Sequence, residues 1–109
     1  NPNQIFTAVE QSPSFPGGDA KFYAYLGNNI KYPSIARENN VTGRVICTFV
    51  VERDGSLTDI KVVRGIGSGC DEEAIRVLKK SPKWKPGIQN GRPVRVQYSI
   101  PVNFTLAQE

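Results

Sequence analysis

Hydrophobic positions near the end of the chain alternate almost without interruption. Val94, Val96, Tyr98, Ile100, Val102 and Phe104 share one side of an extended segment, and Arg95, Gln97, Ser99 and Asn103 share the other. This predicts a long strand over residues 92–106. Pro101 lies inside it and has no N–H to donate, so the strand is expected at an edge, or paired on one side only around that point. A second alternating run places Val45, Cys47, Phe49 and Val51 opposite Arg44, Thr48 and Glu52, with Ile46 and Val50 interrupting the polar side. Asp54-Gly55 supplies the positive-φ residues of a tight hairpin turn. The return strand carries Leu57, Ile60, Val62 and Val63, and its offset at Thr58-Asp59 reads as a bulge.

Helical spacing appears in three places. Asp19 is suited to cap a short helix with Phe22, Tyr23 and Leu26 on one face, stopped by Gly27-Asn28-Asn29. Pro33 sits in the first turn of a second helix that turns Ile35 and Ala36 inward and ends at Asn39-Asn40. Ser68 and Asp71 read as a capping box for a third, whose stripe is Ala74, Ile75, Val77 and Leu78 and which runs to Lys80 before Pro82 stops it. Three helices and three strands predict an α+β fold in two layers, with the helices packed on one face of a small three-stranded antiparallel sheet. Residues 1–14 lack periodicity and read as a lead-in or linker, and residues 15–109 as one domain anchored at its start by Phe15.

The segment Pro82-Lys83-Trp84-Lys85-Pro86-Gly87 holds the only tryptophan between two prolines, and an Asn90-Gly91 turn follows. Two fixed φ angles and a glycine confine the backbone, so Trp84 is expected to dock at the end of a core. Trp84, Pro86 and Gly87, with Pro33 and Gly55, are therefore expected to be structural. In this reading they set where the third helix ends and where the last strand begins.

A chain of 109 residues has room for one core. No stretch approaches the roughly 20 apolar residues of a membrane-spanning helix. Asn1-Pro2-Asn3-Gln4 has neither the basic start nor the apolar stretch of a signal peptide, as in a cytosolic protein or a piece of a longer one. The net charge of +4 is spread along the sequence. Lys79, Lys80, Lys83, Lys85, Arg92 and Arg95 would suit nucleic acid, but the exposed strand face offers no aromatic residue for base stacking, and no nucleic-acid partner is expected. Histidine is absent and two cysteines leave a tetrahedral shell half empty, so no metal and no cofactor is expected. Cys47 and Cys70 read as buried thiols, with a disulfide as the alternative in an oxidising compartment. No nucleophile stands beside a positioned base. Asp71-Glu72-Glu73 suits a helix amino terminus, and the Gly65, Gly67 and Gly69 loop lacks the Lys-Ser or Lys-Thr of a phosphate-binding loop. The chain is expected not to be an enzyme.

Tyr32-Pro33 and Ala36-Arg37, then Gly43-Arg44-Val45, Asp54-Gly55, Asp71-Glu72-Glu73-Ala74 and Trp84-Lys85-Pro86-Gly87, occur in an order that resembles the TonB carboxy-terminal domain family. The match runs from about Phe15 to Leu106. The form it most resembles is that of Bacteroidetes-type envelopes, where Phe-Pro-Gly-Gly precedes the first helix.

The resemblance implies a periplasmic module of an inner-membrane-anchored protein that works with an ExbB and ExbD motor and transmits force without catalysis. It implies binding of the TonB box of outer-membrane transporters by strand addition to the last strand. The partner-binding candidates are Arg92, Val94, Arg95, Val96, Gln97, Tyr98, Ser99 and Ile100. Here Arg95, Gln97 and Ser99 are expected beside the added strand, and Pro101 limits that strand to residues 92–100. A second contact region before the Tyr-Pro motif carries over to Asn28, Asn29, Lys31 and Tyr32. An exposed edge also permits a strand-exchanged homodimer. The alternative use of the same fold is as the tail of a membrane-bound sensor or peptidase regulator. The cargo, whether iron siderophore, cobalamin or glycan, is not written in these residues.

Overall fold

The structure, a computed structural model, describes residues 3–106. Its elements run β1 (Ile5–Phe6), α1 (Asp19–Asn29), α2 (Ser34–Glu38), β2 (Gly43–Val51), β3 (Leu57–Arg64), α3 (Cys70–Lys79), β4 (Gly87–Gln89) and β5 (Arg92–Phe104). The α+β class and the antiparallel centre agree with the sequence reading, since β2 lies between β3 and β5 and pairs antiparallel with both. The sheet is nevertheless mixed and five-stranded. β1 adds parallel to β5, with Ile5 opposite Arg95 and Phe6 opposite Val96, and β4 forms a hairpin with the start of β5. Strands of two and three residues are too short to show a period of two, which is why the three-stranded expectation missed them.

The helices and one face of the sheet enclose a single core. It takes Phe22 and Leu26 from α1, Ala36 from α2, Cys70, Ala74, Val77 and Leu78 from α3, and Val45, Cys47, Phe49, Val51, Ile100, Val102 and Phe104 from the sheet. These are the predicted alternating positions. The helix details differ from expectation. Ile35 is 61% exposed while Ala36 is fully buried, because α2 has a single turn and can turn only one side chain inward, and Tyr23 of α1 is 54% exposed because its neighbour Phe22 takes the buried face. Gly18 and Gly69 occupy the caps expected of Asp19 and Ser68, at φ 91° and 86°. Asp71 instead closes the glycine loop, accepting the amides of Ile66 and Gly67 at 2.9 and 3.2 Å. That loop is a structural one, with the Ile66 and Gly67 N–H groups occupied by the chain's own carboxylate. Both cysteines are free and buried, and burial pushes the Cys47 thiol up to about 11, so neither is a reactive nucleophile.

Trp84 lies where the helix layer meets the β2–β3 turn. Its ring makes edge contacts with Phe15, Phe22, Phe49 and Tyr98 at centroid distances of 5.3–5.9 Å, and its indole N–H donates to Ser81 Oγ at 2.9 Å. Its backbone N–H donates to the Gly55 carbonyl at 2.8 Å. Gly55 has φ 89°, and a Cβ there would collide with the Trp84 carbonyl oxygen. This turn glycine is thus required twice, by its backbone angle and by the close approach of the tryptophan segment. Asn90 and Gly91, at φ 52° and 74°, form the two-residue turn between β4 and β5 as expected.

Candidate strand-docking edge

β5 is the element on which the expected contact residues converge. Its burial follows the predicted alternation, with Val96, Ile100, Val102 and Phe104 buried and Gln97, Ser99 and Asn103 exposed. Tyr98 packs on Phe49 and Trp84, and Phe104 meets the Tyr32 ring edge-on at 5.7 Å, so aromatic contacts hold the strand in the middle and at its end. Pro101 faces Ile46 within the β2 ladder and does not end the strand, which continues to Phe104.

The candidate residues differ in what they leave free. Arg92 and Val94 already pair with β4, and Arg95 and Val96 with β1. From Gln97 to Phe104 the only strand hydrogen bonded to β5 among the described residues is β2. The open stretch is therefore shifted by several residues from the 92–100 span that Pro101 had suggested. Arg95 is also committed. Its Nε and Nη2 donate to the two oxygens of Glu52 at 2.7 and 3.2 Å, and its Nη1 donates to the Asn3 carbonyl at 2.9 Å. This fork holds the Glu52 carboxyl below its usual range and the Arg95 guanidinium above its own. Arg95 thus ties β5 to the β2–β3 corner and to the lead-in rather than reaching outward.

Of the second candidate group, only Tyr32 reaches β5. Its hydroxyl donates to the Val41 carbonyl, Arg37 stacks over its ring at 5.3 Å, and its other edge meets Phe104. Asn29 and Lys31 are instead pinned to α3, where Arg76 donates to the Asn29 carbonyl at 2.9 Å and the Lys31 amide donates to Glu73 at 2.6 Å. Asn28 is exposed beside them at the end of α1. Where β5 ends, Tyr32 lines a cleft of about 400 Å³ with Tyr23, Leu26, Arg37, Asn103 and Phe104. Sequence reasoning missed Tyr23, Arg37 and Asn103 as neighbours. The exposed second aromatic of Phe22-Tyr23 was the one available signal, since a helix buries only one of two adjacent side chains.

Among the described residues no cluster of His, Cys, Asp and Glu could hold a metal ion, and no helix is long and apolar enough to cross a membrane.

The profile of the family described as Gram-negative bacterial TonB protein C-terminal matches residues 28–106. Two curated relatives, the TonB proteins of Helicobacter pylori strains 26695 and J99, are each 26% identical over 90 residues, covering 82% of this chain. The chain spans about 30% of the length of these relatives. Two solution structures of the H. pylori TonB carboxy-terminal domain superpose on it. One has a TM-score of 0.63 at 25% identity and covers 83% of this chain and 95% of that one. The other has a TM-score of 0.58 at 24% identity, covers 86% and 89% respectively, and bears on the fold alone. The chain therefore belongs to the family of TonB carboxy-terminal domains of Gram-negative bacteria, which are interaction modules and not enzymes.

Proposed function

We propose that this domain is the periplasmic end of a TonB-type energy transducer and that it binds the TonB box of outer-membrane transporters as an added strand along Gln97–Phe104. The observation that carries this reading is the open stretch of β5, which among the described residues pairs only with β2 and is backed by the aromatic contacts of Tyr98 and Phe104. Main-chain hydrogen bonds to such an edge form with little regard to side chains, and shear along the strand loads many bonds together. Gln97, Ser99 and Asn103 then supply side-chain contacts on the outer face. The cleft at Tyr32, Arg37 and Asn103 receives one end of the added segment. In this reading residues 15–109 are the working domain, residues 1–14 the lead-in, and an inner-membrane anchor with ExbB and ExbD delivers energy from the proton gradient through chain beyond this sequence. A second copy exchanging a strand is the competing occupant of the same edge.

The test is a nuclear magnetic resonance titration of the labelled chain with a ten-residue peptide from the periplasmic amino terminus of an outer-membrane transporter of the same cell. Saturable shifts and slowed amide exchange confined to Gln97–Phe104 are expected. Shifts centred on β3, or none, overturn the reading. Sedimentation of the free chain separates the dimer, which would protect the same amides without peptide.

A further inference from the structure

The other end of β5 carries a site of different chemistry. Arg53 stands at the entrance to the β2–β3 turn and Arg92 at the exit of the β4–β5 turn. The two tips meet around a cleft of about 500 Å³ that Gln4, Gln89, Asn90 and Arg95 also line. The charges there do not cancel. Arg95 is neutralised by Glu52, and Glu10 is the acid nearest the second turn, with its carboxylate accepting the Asn90 amide at 2.6 Å. Arg53 and Arg92 have neither an ion pair nor a side-chain hydrogen bond among the described residues. Gln89 is oriented to help, because its Oε1 accepts the Glu10 amide at 2.9 Å, which leaves its NH2 group as a donor.

We infer that this cleft is a binding site for a phosphoryl dianion, either free phosphate or the phosphate monoester of a lipid headgroup, held between Arg53 and Arg92. Two guanidinium groups with no ion pair among the described residues outweigh the Glu10 carboxylate on the Asn90 amide, and each can offer a pair of parallel N–H groups to two oxygens of a dianion. The side-chain NH2 groups of Gln89, Gln4 and Asn90 add donors for the remaining oxygens. A carboxylate has two oxygens and one charge and leaves one of the guanidinium groups unused. The cleft lies between two hairpin turns, so a headgroup on a flat surface can reach it from the turn side. Gln97, where the open edge begins, lies five residues along β5 from Arg92, about 17 Å at the usual rise per residue, so an anion held here leaves the open edge uncovered.

The test uses the whole 109-residue chain at constant ionic strength. Inorganic phosphate is titrated by nuclear magnetic resonance, with acetate as the carboxylate comparison, and vesicles of phosphatidic acid are compared with vesicles of phosphatidylcholine in co-sedimentation. Expected is saturable phosphate binding with shifts at the Arg53 and Arg92 side chains, weakened about tenfold by Arg53→Gln or Arg92→Gln and lost in the double variant. The unfolding midpoint of the variants should stay that of the parent, because neither side chain has an ion pair or side-chain hydrogen bond to lose among the described residues. Phosphatidic acid binding much tighter than inorganic phosphate assigns the lipid source, and equal binding assigns free phosphate. Acetate binding as well as phosphate, uniform shifts over all basic residues, or retention of binding by the double variant overturns the site. These outcomes are independent of peptide binding at Gln97–Phe104.

Discussion

β3 and β5 flank the same central strand, and each leaves a row of outward N–H and C=O groups over several residues, yet they are built differently. β3 slips register twice against β2, between Ile46 and Cys47 and between Thr48 and Val50, and Asp59 sits at φ 51° in the second slip. It also carries Asp59, Lys61 and Arg64, and no aromatic side chain. The open part of β5 pairs with β2 residue for residue, contains no charged residue and rests on Trp84, Phe49 and Tyr32. Bulges, charges and proline are the devices by which natural sheets close an edge to other strands, and of these the open part of β5 carries only Pro101. The two edges therefore teach that one side of this sheet is protected and the other is left ready to pair. The two-residue β1 trims the ready edge at Arg95 and Val96 without covering the rest.

The largest effect should come from the support beneath β5. Trp84→Ala removes the ring that joins Tyr98 to Phe49 and both α1-side phenylalanines, and a loss of about 3–5 kcal/mol of stability is expected in urea unfolding. Peptide affinity of the folded fraction should change little. Intact stability with lost binding would move Trp84 from the support into the contact surface. A direct test of the edges pairs Gln97→Pro with Lys61→Pro, each checked by circular dichroism. The β5 variant should weaken peptide binding by at least about tenfold, roughly 1.4 kcal/mol. The β3 variant should leave it at the parent value, and the reverse pattern would exchange the roles assigned to the two edges.

A smaller effect is expected at the corner that ties the edges together. Glu52 accepts from Arg95 of β5 and, at 2.5 Å, from the Thr58 hydroxyl of β3. Both groups of the ion pair are partly exposed, so Glu52→Gln should cost about 1 kcal/mol. The Arg95 hydrogen bonds lower the Glu52 pKa from 4.5 in the folded chain. The folded state therefore binds this proton less readily than the unfolded one. Its stabilisation is complete above pH 4.5 and is lost as the pH falls through the lowered value. Urea midpoints from pH 7 to pH 3 should show a decline that is shallower in the Gln variant. The smallest effect belongs to the exposed Asp59–Lys61 pair at 3.4 Å. Replacing Asp59 by Asn, which tolerates its positive φ, and Lys61 by Thr should change stability by under about 0.5 kcal/mol, while sedimentation at high concentration should show more self-association once β3 has lost those charges.

Much of the edge comparison was legible beforehand. The alternation of Val96, Ile100, Val102 and Phe104, the bulge at Asp59, the turns at Gly55 and Asn90-Gly91, and the docking of Trp84 all follow from local spacing and from φ restrictions that act within a few residues. The same locality explains what was missed. Pro101 does not interrupt β5, which keeps its pairing with β2 on both sides of it, because a ladder tolerates one missing donor when the flanking residues are buried. Arg95 looked like an outward contact because its alternation places it on the exposed face. Its partner Glu52 lies 43 residues away, and no pattern within β5 points to it.

Period and turn chemistry report which side of each element is buried and where the chain reverses, so the sequence by itself determined the helices, the three long strands and the core face. Which backbone lies beside which is set by contacts between residues far apart in the chain. The parallel pairing of Ile5 with Arg95, the collision that makes Gly55 obligatory beneath Trp84, and the meeting of Arg53 with Arg92 across two hairpin tips were decided only in the tertiary structure. Among the described residues those contacts leave β5 open from Gln97 onward, since an edge is free only where nothing distant in sequence has come to pair with it.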